Sequence, residues 1–523
     1  MATLIRNARI IDGSCAPWFR GDLLIKAGRI AAVGARLDEA DAEIIEAQER
    51  YLAPGFIDAH CHDDLICLRQ PARQEKILQG VTSVVTGNCS FSLFPATPGS
   101  HEAVRRHVST LMGEVTPEEI FNTVDSYRAA LARQGIGVNL VPLLGHGALR
   151  LTVMGEGDRA ASATERAAMQ NLLARELRAG AAGLSLGLVY PPSAYADTAE
   201  LMALAETVKA EGKLLTAHIR SYEGQLIESI DEFLALLKSS GAAGLLSHLQ
   251  AAGRPNWGKL DTALNRLEAA RAEGTDVSFD MYPYIAGSSY VLQLLPPAAL
   301  AEGIEALCQK LDDAGKREDL RRAVEEAPEA KVALIGWHNI HISGVSNLAL
   351  KSLEGQTMTD AASAAGVTPF EIFCRLVQED AGQTAIIMFQ LDEADLHAAC
   401  THRLHMVGSD GLPRPGTRAH PRAFGTFPRV AGPLRREAKW FPLEDAIRRM
   451  TSAPAQRFAL MDRGLIRPGM VADLVLFEDQ LRDRATFDDP THSPEGITDV
   501  WLSGIRTVAD GRGTGARPGR LLG

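Results

Sequence analysis

Cysteine is scarce in this 523-residue chain: there are seven, an odd number that makes a poor disulfide framework. A reducing, cytoplasmic setting is expected, and any special cysteine should be a ligand or a nucleophile. No stretch approaches the roughly 18 apolar residues of a membrane span, so no membrane partner is expected. The N-terminal Met1-Ala2-Thr3-Leu4-Ile5-Arg6-Asn7 lacks the basic segment and long apolar run of an export signal. Basic blocks are also missing. The formal charge is −11, with acids spread along the chain, which argues against nucleic acid as the main partner. Nor does any repeat of solenoid length or low-complexity segment interrupt the sequence.

What remains is ordinary globular composition, 46% hydrophobic and 23% charged, in a chain too long for one typical domain. Both ends read as short strands and turns. Leu4 to Ile11 is one run, Asp22 to Val33 a hairpin bending at Gly28, and Ala472 to Phe477 and Ile497 to Val508 resemble them. This pattern predicts a small β-sandwich domain built from residues 1–53 and 462–523. The middle, residues 54–461, alternates apolar strands with amphipathic helices. Strands are expected to end near His62, Cys89, His146, Tyr190, His218, His248, Tyr282 and Asp410. Helices are expected over Thr164–Ala179, Thr198–Glu211, Gln225–Lys238 and Lys259–Glu273. Eight such units predict an α/β fold, a (β/α)8 TIM-like barrel. Lys331–Trp337 and Thr384–Phe389 also read as strands. Regular alternation fails between about 290 and 353, which predicts an insertion over the barrel's C-terminal face.

The chemistry-bearing residues stand at the predicted strand ends. In Gly55-Phe-Ile-Asp-Ala-His60-Cys-His62, two histidines two apart on a strand share a face, and imidazole suits zinc. Cys89 ends the β-branched run Val81–Val85, where a thiolate could ligate a metal. Cys15, Cys67, Cys308, Cys374 and Cys400 read instead as inert thiols. His218 and His248 end two successive apolar strands, Leu214–His218 and Leu245–His248. Asp410, in Met406-Val-Gly-Ser-Asp410-Gly, ends the last one. A carboxylate beside a zinc-bound water can take its proton and later deliver it to a leaving amine. Each residue alone is more often structural; together on one rim they form a constellation. The remaining histidines read as structural or surface groups, including His338 and His341 in the insertion, with His146 placed behind the site.

These residues resemble the amidohydrolase superfamily, and within it the N-acyl-D-amino-acid deacylases (D-aminoacylases). The resemblance spans nearly the whole chain. It is carried by Gly55–Asp64, Thr86–Cys89, Ser185–Thr198, Ala217–Arg220, Ser247–Lys259, Val407–Pro428 and Asp462–Asp473. It implies hydrolysis of the amide of a small N-acyl amino acid, D-configured, by attack of metal-bound hydroxide. His60 and His62 would bind a more exposed Zn2+ and Cys89, His218 and His248 a tighter one. Asp410 would be the general acid/base and touch the exposed metal. Tyr190, Tyr282, Ser288 and Arg422 would hold the substrate, with Arg418 the alternative to Arg422. Where the family carries lysine two residues after the last metal histidine, this chain has Gln250, which removes a positive charge from the substrate pocket and admits a bulkier or less charged amide. A cyclic amidase of the hydantoinase or dihydroorotase type would call for lysine in place of Cys89. A metal-free scaffold would be expected to have lost ligands that are all retained here.

Overall fold

The structure, a computed structural model, describes residues 2–523. Its centre is a sheet of eight parallel strands: β1 (Phe56–Asp58), β2 (Val81–Thr86), β3 (Asn139–Gly145), β4 (Gly183–Gly187), β5 (Leu214–His218), β6 (Ala243–Leu246), β7 (Val277–Met281) and β8 (His405–Val407). Every residue of these strands except Ala243 is buried: the strands are covered on both faces, which is why they read as near-continuous apolar runs. The sheet closes on itself. Ala59 N–H donates to the Val407 carbonyl (3.1 Å), Asp410 N–H to His60 (2.7 Å) and His62 N–H to Gly411 (3.0 Å). The residues after β1 therefore zip against those after β8, and His60, His62 and Asp410 meet at the seam. The eight strand ends anticipated from sequence are those of the barrel.

Helices return between strands at Ala163–Arg178, Thr198–Ala210, Leu226–Ser240 and Lys259–Ala272. Their starts are set locally. Ser162 accepts from Glu165 N–H in a reciprocal capping box, and Asp197 caps at Glu200 N–H.

The two ends of the chain form one nine-stranded sheet. Ala2–Ile10, Phe19–Lys26, Arg29–Gly34, Ala42–Glu46 and Tyr51–Pro54 join Leu474–Arg482, Glu495–Leu502, Ile505–Ala509 and Arg512–Gly513. Antiparallel pairing of Tyr51–Pro54 with Leu474–Phe477 unites the halves. Ile5, Leu23, Leu52, Leu474 and Trp501 share a core separate from the barrel's. The hairpin bends at Ala27-Gly28, both with positive φ.

The excursion after β7 departs from expectation. Ala286–Tyr290, Ile340–Gly344 and Ala385–Phe389 form a three-stranded antiparallel sheet with the last in the middle. The interval 290–353 is thus only part of an excursion whose sheet spans 286–389. Thr384–Phe389 is a strand, but of this small sheet. Lys331–Trp337 is not a strand: Lys331–Ile335 is helical, burying Val332 and Ile335 three residues apart. A short apolar run carries no usable period, so strand and helix look alike in it. Among the described residues, no helix is long and apolar enough to cross a membrane.

Candidate metal centre and substrate cleft

The ligand-type residues sit where the strands end and the backbone turns sharply. Cys89, His248 and Asp410 all have left-handed φ (52°, 35° and 47°), a conformation costing a non-glycine residue about 1–3 kcal/mol. Each is held there by neighbours. Asn88 donates to the Cys61 and Val85 carbonyls (3.1 and 2.9 Å), fixing the turn at Cys89. His248 N–H donates to Asp280 Oδ1 (2.9 Å), and Asp410 N–H to the His60 carbonyl. Two glycines make room: a Cβ at Gly187 would lie 2.2 Å from the Cys89 carbonyl oxygen, and one at Gly408 2.6 Å from the His60 Cβ.

The side chains converge in two overlapping triads, His60–Cys89–His248 and His60–His62–Asp410, each with its ligand atoms within 4.8 Å of one another. Cys89 Sγ is 3.4 Å from both His60 Nε2 and His248 Nε2. Asp410 Oδ1 is 3.5 Å from His60 Nε2 and 3.2 Å from His62 Nε2. The expected split put His60 with His62 and left His218 with Cys89 and His248. Here His60 belongs to both triads and His218 to neither, its ring lying 4.6 Å from that of His248.

Three of the four histidines have the protonation a cation needs; against the effect of burial, Asp280 and Cys89 raise the fourth, His60, well above its ordinary value. Burial pushes His248 down to about 3, and burial with the neighbouring His248 pushes His218 well below its ordinary value. Burial also lowers His62 against the pull of Asp410. All three stay neutral, as metal ligands must be, and the Nδ1 atoms of His62, His218 and His248 are buried without partners. Burial pushes the Cys89 thiol up to about 11, although His60 opposes it; a bound metal would deprotonate it outright. A Cys/His/carboxylate donor set of this size suits zinc.

Several contributors escaped the sequence reading. Asp280, on β7 and fully buried, accepts from His60 Nδ1 (3.2 Å) as well as from His248 N–H, orienting two ligands with one carboxylate. A charge inside the apolar run Val277-Ser-Phe-Asp-Met281 was its available signal. Lys76, also fully buried, donates to Asp58 Oδ2 (2.7 Å) and Ser409 Oγ (3.2 Å), and Ser409 bonds Asp58 in turn. This group locks β1 to β8 directly beneath the seam.

A cleft opens above the triads. Tyr190, Gln250, Tyr282 and Ser288 line it with His62, Cys89, His218, His248 and Asp410. Arg422 does not. It lies behind Tyr282, 4.5 Å from the ring centroid, and pairs with Asp410 Oδ2 (2.8 Å). Burial would raise the Asp410 carboxyl, but Arg422 and the histidines hold it well below the usual range. Arg418 is exposed and packs beside Gly355. His146 contributes no ligand atom; it bonds Glu200 (2.7 Å). A wider cavity of about 780 Å³ at the opposite end of the barrel, lined by Lys213, Arg457 and Gly523, holds none of these groups.

The chain is similar to known proteins over nearly its whole length. The sequence profile described as "Amidohydrolase family" matches residues 43–508. The chain is 37% identical to an N-acyl-D-glutamate deacylase of Alcaligenes xylosoxydans xylosoxydans, covering 99% of this chain and 96% of that protein. It is 34% identical to a D-aminoacylase of the same organism, over 99% and 97%. The crystal structure of an N-acyl-D-glutamate deacylase from Bordetella bronchiseptica, complexed with zinc and a phosphonate mimic of the tetrahedral intermediate, superposes with a TM-score of 0.84. Sequence identity is 34%, and 99% of each chain is covered.

Proposed function

The chain belongs to the amidohydrolase family, and from that premise we propose that it is a zinc-dependent hydrolase releasing the acyl group from N-acyl-D-amino acids. The observation that carries this reading is the pair of triads that share His60, one completed by Cys89 and His248 and the other by His62 and Asp410. Cys89, His218 and His248 would hold one zinc tightly. His62, His60 and Asp410 would hold a second more weakly, because Asp410 is already committed to Arg422. Zinc so held supplies a Lewis acid and brings the pKa of a bound water toward neutrality.

The protein's own groups do the rest. Asp410, kept ionised by Arg422, accepts the proton of the attacking water through Oδ1, the oxygen turned toward His62. The same carboxyl then delivers that proton to the departing amine nitrogen, so one residue serves as base and acid in turn. Arg422 holds the outer oxygen and thereby aims the inner one. Tyr190 and Tyr282 stay protonated, since burial raises both phenols, and offer O–H donors to the substrate's oxygens. Ser288 and the Gln250 amide add neutral donors to the same wall.

Release of free amine from a panel of N-acetyl-D- and N-acetyl-L-amino acids tests the reading. D-substrates should be hydrolysed and L-substrates left intact, with activity lost to a chelator and restored by zinc. Turnover confined to L-substrates, or none on either series, would overturn it.

A further inference from the structure

A substrate carboxylate α to the scissile nitrogen must be received close to the groups that attack the amide. The lysine that the family resemblance places two residues after His248 is Gln250 here. Its Oε1 accepts from the Tyr282 hydroxyl (3.4 Å) and from Gln390 Nε2 (3.2 Å), forming a neutral web. Arg422 lies behind Tyr282 and outside the cleft lining, with Nη2 on Asp410 and with Nε and Nη1 buried without partners. Among the described residues lining the cleft, one lysine or arginine remains, Lys331.

Lys331 begins the short helix Lys331–Ile335 of the excursion, far in sequence from every ligand. Its ammonium pairs with Glu223 Oε1. The other oxygen of Glu223 is occupied from its own loop by Ser221 Oγ and Tyr222 N–H (both 3.1 Å). Next to this pair, Glu329 accepts from Gly224 N–H (3.0 Å) and Lys259 donates to the Gly224 carbonyl (3.1 Å). The two segments are thus latched at adjacent positions. The lysine and glutamate side chains are only 14% and 11% exposed. An ammonium has three N–H donors, and Glu223 takes one.

We propose that Lys331 is the residue that binds the carboxylate of the N-acyl amino acid, with Glu223 positioning it. The ammonium missing at position 250 is supplied from the excursion, its charge shared between Glu223 and the substrate. This rests on the functional reading above, and it commits the substrate to an anionic amino-acid end.

The test compares an N-acetyl-D-amino acid that wild type hydrolyses with its α-carboxamide, reading acetate release. Wild type should favour the acid by about ten-fold or more in kcat/KM, the range of a charge-assisted hydrogen bond. Lys331→Met should erase that preference through KM on the acid, leaving kcat within about three-fold and the carboxamide unaffected. A structural role would move both substrates together. Because Lys331→Met leaves Glu223 unpaired, the double variant Lys331→Met/Glu223→Gln should give the same loss in a charge-neutral wall. Adding Gln250→Lys to Lys331→Met should restore the preference for the acid. Turnover of D-substrates with the preference intact in both Lys331 variants, or absent from wild type, would overturn this assignment alone. Failure of wild type on every N-acyl-D-amino acid would sink the functional reading with it.

Discussion

Replacing Asp280 by asparagine keeps the shape of the side chain and removes one acceptor. In the native protein both carboxylate oxygens face N–H donors, His60 Nδ1 at 3.2 Å and the His248 amide at 2.9 Å. Asparagine offers one oxygen and one NH2, so one of the two donors must confront another donor. If the NH2 faces His248, a buried backbone N–H loses its partner at a residue already held at φ 35°, a cost of about 1–3 kcal/mol. If it faces His60, the imidazole must switch tautomer and carry its proton on Nε2. That is the atom 3.4 Å from Cys89 Sγ and 3.5 Å from Asp410 Oδ1, whose lone pair a metal would need. Either route weakens zinc binding by about ten- to a hundred-fold, the usual effect of losing a carboxylate behind a ligating histidine. Titration against a chromophoric chelator measures the affinity, and kcat at saturating zinc separates occupancy from chemistry. An Asp280→Asn protein that binds zinc within about two-fold of wild type would refute the claim that this carboxylate sets the tautomer of His60.

Asp410→Asn should cut kcat by about 10²–10⁴-fold while zinc content by elemental analysis stays near that of wild type, and retained turnover would reject the acid/base role. Lys76→Met should strand Asp58 as an uncompensated buried charge and cost about 3–5 kcal/mol in urea denaturation. A loss under about 1 kcal/mol would mean the seam does not depend on it. His405 is buried, and burial followed by Arg449 lowers it to about 3, against an ordinary value near 6.5. A depressed folded pKa contributes stability that is present above about pH 6.5 and is lost as pH falls toward 3, at up to about 1.4 kcal/mol per unit. The stability difference between wild type and His405→Gln should therefore shrink on acidification below pH 6.5, whereas parallel pH profiles would contradict it.

The parts of this molecule legible in its sequence are those governed by local pattern. A barrel strand must be apolar along its length and can turn polar only where it leaves the barrel. His62, Cys89, His218, His248 and Asp410 therefore announced themselves by following apolar runs. Which ligands would share a site was less legible, because that depends on how the sheet closes. The contact of Asp410 with His60 exists only once the seam between β1 and β8 has formed. Asp280 was within reach, since a carboxylate in an apolar strand has to be paired by something. Lys76 was not. Nothing in Gln74-Glu-Lys-Ile77 distinguishes a fully buried lysine from the exposed ones on any helical turn.

The excursion marks where local reasoning stops, and the reason bears on specificity. Barrel positions are constrained twice, by strand periodicity and by the demand that the centre be filled, so their identities carry structural information. Lys331 is constrained by neither. It faces the cleft because a three-stranded sheet assembled from residues 286–290, 340–344 and 385–389 carries the intervening helices over the mouth. Its position relative to Glu223 is set by the latch at Glu329 and Gly224, a contact 105 residues long in sequence. Groups that perform the chemistry are thus fixed by the scaffold. In the proposed assignment, the group that receives the substrate's charge rides on the excursion, outside the barrel that positions the ligand-type residues. A pocket cation can then be exchanged between position 250 and the excursion while His60, Cys89, His248 and Asp410 stay where they are.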